Sequence, residues 1–275
     1  MNDIRLIASD VDGTMLPRGG VISARLRRAI AGCRRAGIPF IIASGRWIGA
    51  LGEVVAHAGT AGLPMIICNG AMVVDPLGEP LREWPLDDGD ARQVYDILKR
   101  HQVQINSYLR GALYCQNTWL IRKKSPAIRG YIGGGDHKLV LDDADRFEAE
   151  ALRGVCKLEA LSEDPGVILA VKRDLSGLDL SVTHSSGRNV EIMAPGVGKG
   201  AALKWLAARL GIPTARCMAF GDNMNDWDLL SAVGWPVAME NADPALKRLA
   251  RIVAPSDADD GVARIIISHV LEEEA

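Results

Sequence analysis

The largely apolar run from Ile4 to Ala8 delivers the chain into Asp10-Val11-Asp12-Gly13-Thr14, and no other junction constrains the fold as much. A short apolar run that ends in turn-forming residues reads as a buried strand of a parallel sheet. Residues two apart in an extended chain point to the same side, so Asp10 and Asp12 are expected to face one site. In open α/β sheets that site lies beyond the carboxyl ends of the strands. Two carboxylates so close repel unless a cation or a shared proton relieves them, and hard oxygen ligands suggest Mg²⁺. The same pentapeptide also suits an ordinary turn, because Asp and Gly accept unusual backbone angles. Other stretches have to decide between the two readings.

Strand and helix signals alternate around this junction. Ser23 to Ala36 reads as an amphipathic helix capped by Ser23 and ended by Gly37, Ile38 to Ala43 as a second strand, residues 46–58 as a helix, and Met65 to Cys68 as a third strand. The alternation returns near the far end, with a helix over 200–210, a strand at Cys217–Phe220, a helix over 226–232 and a strand at Trp235–Ala238. Residues 247–253 and 262–271 continue in the same style. This spacing predicts parallel strands joined by right-handed crossovers: an α/β fold with a Rossmann-like parallel sheet core flanked by helices.

The middle of the chain differs. Short strand-like pieces at Met72–Val74 and Pro80–Trp84 lead to a helix near 90–101. Strand signals follow around Val103–Tyr108, Leu113–Cys115, Lys138–Leu141, Val167–Val171, Leu178–Thr183 and Asn189–Met193. Helical stretches lie near 118–131 and 145–155. Together these predict an antiparallel sheet partly covered by helices, so residues 85–188 are read as an inserted α+β domain between core segments 1–84 and 189–275. The four glycines of Gly130 to Gly135 lack the Lys-Ser/Thr ending of a phosphate loop and read as a connection.

Bulk properties exclude several classes. The 275 residues carry 32 Lys and Arg against 34 Asp and Glu, which offers no electrostatic footprint for nucleic acid. No apolar run is long enough to span a bilayer, so no membrane role is expected. The N-terminus, with Asp3 before the first strand, is not built as a signal peptide. The cysteines, five in number, are scattered without a Cys-x-x-Cys pair, as suits a reduced, cytoplasmic protein. The histidines show no zinc-ligand spacing.

Three further segments fall at the ends of predicted core strands. Ser44-Gly45-Arg46 places a hydroxyl and a backbone N–H at the start of a helix, which suits either a cap or an anion site. Gly196-Val197-Gly198-Lys199-Gly200 opens the helix leading back into the core, with a lysine where the helix dipole disfavours a positive charge unless an anion offsets it. Phe220-Gly221-Asp222-Asn223-Met224-Asn225-Asp226 brings two more carboxylates and two amides to the same edge. Asp222, at the strand exit, is the better candidate ligand, whereas Asn225 and Asp226 also suit helix caps.

In this order, the four segments resemble the motifs of the haloacid dehalogenase superfamily, in its Cof-type phosphatase branch with a large α/β cap between the second and third motifs. The resemblance covers nearly the whole chain. It implies a Mg²⁺-dependent phosphatase for a small phosphorylated metabolite, a sugar phosphate or similar phosphomonoester, and an inserted α+β cap domain that selects the substrate. It makes Asp10 the nucleophile that forms an aspartyl-phosphate, and Asp12 the group that protonates the leaving alkoxide and then deprotonates water. The metal falls to Asp10, Asp222 and the backbone carbonyl of Asp12. Ser44, Gly45, Lys199 and Asn225 hold the phosphoryl oxygens, and Asp226 orients Lys199 or a metal-bound water, with Arg46 likewise in a supporting place. The protein is expected to be a monomer or small homo-oligomer. Three departures stand out: Ser44 replaces the commoner Thr, Gly198 stands where Ser or Asp is frequent, and Trp227-Asp228-Leu229-Leu230 replaces a more usual Pro-Met-Leu ending. The alternatives are phosphomannomutase-like transfer, which returns the phosphoryl group to substrate, and a metabolite-binding protein without catalysis. Tyr108, Arg110, Tyr114 and Arg129 are candidate substrate contacts. The tryptophans at 47, 84, 119, 205, 227 and 235 read as packing residues, of which Trp47 and Trp227 stand near site motifs.

Overall fold

In the computed structural model, which describes residues 3–17, 20–118 and 138–271, the first apolar run forms strand β1 (Leu6–Ser9), buried along its whole length. Helix α1 (Ala24–Arg35) starts where the Ser23 hydroxyl accepts the Leu26 N–H at 3.0 Å and ends at Gly37, which takes φ +70°. The chain continues through β2 (Phe40–Ala43), α2 (Gly52–Ala58), β3 (Met65–Ile67), β4 (Met72–Val74) and β5 (Pro80–Glu83). Its middle comprises α3 (Asp88–Arg100), β6 (Gln104–Leu109), β7 (Ala112–Gln116), β8 (Lys138–Val140), α4 (Ala144–Ala151), β9 (Lys157–Leu161), α5 (Pro165–Leu175), β10 (Ser181–Thr183) and β11 (Asn189–Met193). It closes with α6 (Lys199–Arg209), β12 (Cys217–Gly221), α7 (Trp227–Ser231), β13 (Trp235–Met239), α8 (Pro244–Leu249), β14 (Ile252–Ala254) and α9 (Gly261–Ile266).

The core sheet has the order β14-β13-β12-β1-β2-β3-β4-β5. Its strands from β14 to β3 pair in parallel, and β4 returns antiparallel to β3. The strand order therefore reverses at β1, which lies between β12 and β2, and this switch point is where an open α/β sheet leaves a crevice. Burial of both faces explains why β1, β2 and β12 read as near-continuous apolar runs. This is the expected α/β core.

The second sheet has the order β10-β11-β9-β6-β7-β8 and is antiparallel except for the β7–β8 pair. Alternate residues of its strands, among them Ile105, Leu158 and Val190, pack with Leu98, Phe147 and Ile168 from the helices, and Tyr95 stacks on Phe147 with ring centroids 5.4 Å apart. The intervening positions are polar yet buried, so they pair with one another. Lys157 bonds Glu191 at 2.7 Å, while Tyr108 and Asn106 donate to Glu159 at 2.6 and 3.0 Å.

The chain divides into one unit of residues 1–45, 51–81 and 198–275 and a second of 46–50 and 82–197. The second unit is wider than the expected 85–188. Strand β11, counted among the strands of the antiparallel sheet although the expected boundary fell before it at 188, lies in this unit and pairs antiparallel with β9 and β10. One expectation inside the unit needs correction, and one strand goes beyond it. Val167–Val171 is not a strand but part of α5, where Asp164 caps the helix, Pro165 occupies its first turn and Ile168, Val171 and Leu175 recur on one buried face. Strand β9 carries no clear local signal, because charged Lys157 and Glu159 alternate with its apolar residues and find their buried partners only in the folded sheet. The expected helical residues 119–131, the glycines of 130–135, and the candidates Trp119 and Arg129 lie outside the described residues.

Candidate active site

The carboxyl end of β1 carries Asp10, whose N–H bonds the Phe220 carbonyl of β12 at 3.0 Å. Its Oδ1 accepts from Lys199 Nζ at 2.7 Å, and Lys199 also reaches Asp226 Oδ1 at 2.6 Å. Lys199 and Asp226 are fully buried and Asp10 is nearly so. The second oxygen of Asp226 accepts the backbone N–H groups of Asp222 and Asn223 at 3.0 and 3.2 Å, closing a capping box over the turn after β12. Asp222 Oδ1 in turn accepts from the Thr14 hydroxyl at 2.9 Å. Asp10, Asp222 and Asp226 thus bring one carboxylate oxygen each to within 4.8 Å of one another.

These charges strain against their surroundings. Burial pushes the Asp10 carboxyl well above the usual carboxylate range; Lys199 opposes the shift, while Asp226, Asp222 and Asp12 reinforce it. Burial, then Asp226, pushes Asp222 up to about 7. For Lys199 burial works against the charge, but Asp10 and Asp226 outweigh it and the ammonium is held more firmly than usual. Fully ionised, three carboxylates with one buried lysine carry excess negative charge, and their donors are hard oxygens, a set that fits a divalent cation of the Mg²⁺ type. Gly13 keeps the space open: with φ +79°, a Cβ there would lie 2.5 Å from Asp222 Oδ2. Both Asp226 oxygens already serve Lys199 and the backbone, so Asp10 and Asp222 are the carboxylates best placed to take a metal.

Asp12 stands apart from this cluster. It is exposed and bridges to Leu16 in a loop that is tied by the Gly13 N–H on the Leu16 carbonyl at 3.0 Å and by Asn241 Nδ2 on the Gly13 carbonyl at 2.7 Å. Ser44 is buried at the end of β2, and its carbonyl accepts the Asn69 N–H at 3.0 Å. Gly45 lies against Asn69, since a Cβ there would meet Asn69 Oδ1 at 2.8 Å. Asn225 donates to Asn69 Oδ1 at 3.2 Å. This leaves Asn69 Nδ2 buried without a hydrogen-bond partner among the described residues, a donor that invites an acceptor. Arg46 belongs by its contacts to the second unit, where it donates to the Ala50 carbonyl at 3.2 Å. Of the two tryptophans near site motifs, Trp47 is buried in the second unit and Trp227 is exposed. Tyr108 is buried on Glu159, whereas Arg110 is exposed.

The sequence gives no role to Thr14, Asn69, Asn241 or Asp228. Thr14 belongs to the opening pentapeptide, and Asn69 follows β3 as Asp10 follows β1, so strand-end position was the available signal for both. Asn241 and Asp228 offer no such signal, because only the tertiary fold brings them to Gly13 and Gly200.

A family model described as haloacid dehalogenase-like hydrolase matches residues 7–266. The chain is 29% identical over 245 residues to an HMP-PP phosphatase of Yersinia pseudotuberculosis, covering 89% of this chain and 86% of that one. It is 27% identical over 274 residues to a 5-amino-6-(5-phospho-D-ribitylamino)uracil phosphatase of Bacillus subtilis, covering 98% and 97%. A solved haloacid dehalogenase-like hydrolase from B. subtilis superposes with a TM-score of 0.83 at 25% identity, over 98% of this chain and 100% of that chain. With the family model spanning both sheets, and the four strand-end segments assembled around β1, the chain belongs to the haloacid dehalogenase-like hydrolases, of the Cof type.

Proposed function

We propose that this phosphoric monoester hydrolase releases phosphate from small phosphorylated metabolites in the cytoplasm, using Mg²⁺ and an aspartyl-phosphate intermediate. The observation that carries the reading is the buried Asp10–Lys199–Asp226 chain beside Asp222. Lys199 holds Asp10 through Oδ1, which leaves Oδ2 to attack phosphorus in line and form the acyl phosphate. Asp12, exposed and outside the cluster, protonates the leaving alkoxide and then takes a proton from the attacking water. Ser44, the Gly45 N–H, Lys199 and the Asn225–Asn69 amide pair hold the phosphoryl oxygens, since phosphoryl transfer is accelerated mainly by positioning and charge stabilisation. Asp10 and Asp222, with the Asp12 carbonyl, would hold Mg²⁺, which when bound neutralises charge between nucleophile and phosphoryl group. Substrate choice is assigned to the inserted α+β unit as a cap domain.

A panel of phosphorylated sugars, nucleotides and cofactors, assayed for inorganic phosphate with and without Mg²⁺, tests this reading. Metal-dependent release from one compact ester class, with inorganic phosphate as the sole fate of the phosphoryl group, is expected. Asp10→Asn should keep the fold and lose turnover, because an amide is no nucleophile. Wild-type rates in that variant would refute the mechanism, and phosphate returned to substrate would indicate a mutase.

A further inference from the structure

Helix α6 has no cap of its own. Gly198 at its N-cap offers no side chain, its first turn contains no acidic residue, and its first residue is Lys199. The N–H groups of a first helical turn have no partners within the helix, and a positive charge there opposes the helix dipole. Lys199 must nevertheless reach two carboxylates from the outermost position of the helix, where fraying would move it directly.

The missing acceptor comes from another helix. Asp228, the second residue of α7, accepts the Gly200 N–H through Oδ2 at 2.7 Å. Gly198 has φ −173°, an extended backbone open to any residue, so conformation does not demand glycine there. Space does, because a Cβ at Gly198 would lie 2.0 Å from Asp228 Oδ2. A Cβ at Gly200 would lie 2.1 Å from the Asp228 carbonyl oxygen. The two glycines thus let the start of α7 press against the start of α6. Gly198 and Asp228, met in the sequence as separate departures from the family pattern, form one device: the cap side chain is removed from its own helix and an acid is supplied from the neighbouring one.

We propose that Asp228 is a positioning residue for the hydrolytic reaction, capping the helix that carries Lys199 and so holding its ammonium between Asp10 and Asp226. This rests on the catalytic role proposed for Lys199. The Asp228 carboxylate also supplies the negative charge that the first turn of α6 lacks, offsetting both the lysine and the helix dipole. Misplacing a group that must meet reacting atoms slows the chemical step more than it weakens substrate binding.

Steady-state hydrolysis of the best ester from the panel, with Mg²⁺ and well below each variant's melting midpoint, provides the test. Asp228→Ala should lower kcat by about tenfold or more with KM little changed. Asp228→Asn, which keeps an acceptor oxygen, should retain most of kcat. Gly198→Ser/Asp228→Ala, which returns a hydroxyl cap to α6, should recover most of the loss. An Asp228→Ala enzyme with a lowered melting midpoint but wild-type kcat would overturn the proposal, leaving Asp228 as packing alone. Should Asp228→Ala not fold, the double variant decides: near-wild-type kcat supports the assignment, and a folded, slow enzyme overturns it. Lys199→Ala separates the two failures: full turnover in that variant would refute the role of Lys199 and with it the proposal, whereas a slow Lys199→Ala beside an Asp228→Ala of wild-type kcat would overturn the role of Asp228 alone.

Discussion

Lys199 compensates two buried carboxylates at once, Asp10 at 2.7 Å and Asp226 at 2.6 Å, so its removal exposes repulsion that burial has already amplified. Breaking such a buried pair costs about 3–5 kcal/mol. Lys199→Ala should therefore lower metal-free stability by about that amount, read from urea melts, besides losing turnover. Asp222 makes a prediction of opposite sign. Its carboxyl is pushed up to about 7, above the unfolded value, so the folded chain binds that proton more tightly. Its contribution to stability is fully present below the unfolded pKa and is lost as pH rises through about 7. In metal-free protein, Asp222→Asn should thus match the wild type near the low end of that window and become the more stable at alkaline pH; melts across the range check this. At this scale the sequence pointed to Asp10, Asp222 and Asp226 as candidates through the segments that follow β1 and β12, and folding brings one carboxylate oxygen of each to within 4.8 Å of the others. The sequence did not show that Asp226 would spend both oxygens within the protein, because hydrogen-bond partners far apart in sequence are set only by folding.

Single elements were legible where local rules act alone. The Ser23 cap of α1 is such a case, and Ser23→Ala should cost about 1 kcal/mol while leaving kcat unchanged. The turn after β3 depends on more than local rules: Gly70 has φ +90°, and a Cβ there would lie 2.1 Å from the Gly198 carbonyl oxygen. Two backbones in contact cannot yield, so Gly70→Ala should destabilise by at least about 2 kcal/mol and reduce kcat by displacing the start of α6, measurable as separate effects on melting and turnover. Where elements were misread, the cause was tertiary. The run Val167–Val171 satisfies a strand pattern as well as a helix pattern, and Asp164 with Pro165 tips it to helix. Strand β9 alternates Leu158 and Ala160 with Lys157 and Glu159, charged positions made acceptable inside the protein by Glu191, Asn106 and Tyr108.

For the whole molecule, a ligand that binds only the folded state stabilises it by mass action, about 2.7 kcal/mol at a hundredfold excess over Kd. Mg²⁺ should accordingly raise the melting midpoint of the wild type, and chelation should lower it together with the rate of phosphate release; Asp222→Asn should lose most of the thermal response. The sequence by itself determined the parallel α/β core and singled out four segments at predicted strand ends, because apolar periodicity, turn residues and helix caps are local properties of the chain. The tertiary structure alone decided that Asn69 joins Asn225 and that Asp228 serves the helix of Lys199. Each of these joins residues distant along the chain, and which polar groups are taken from water together follows only from how the elements pack.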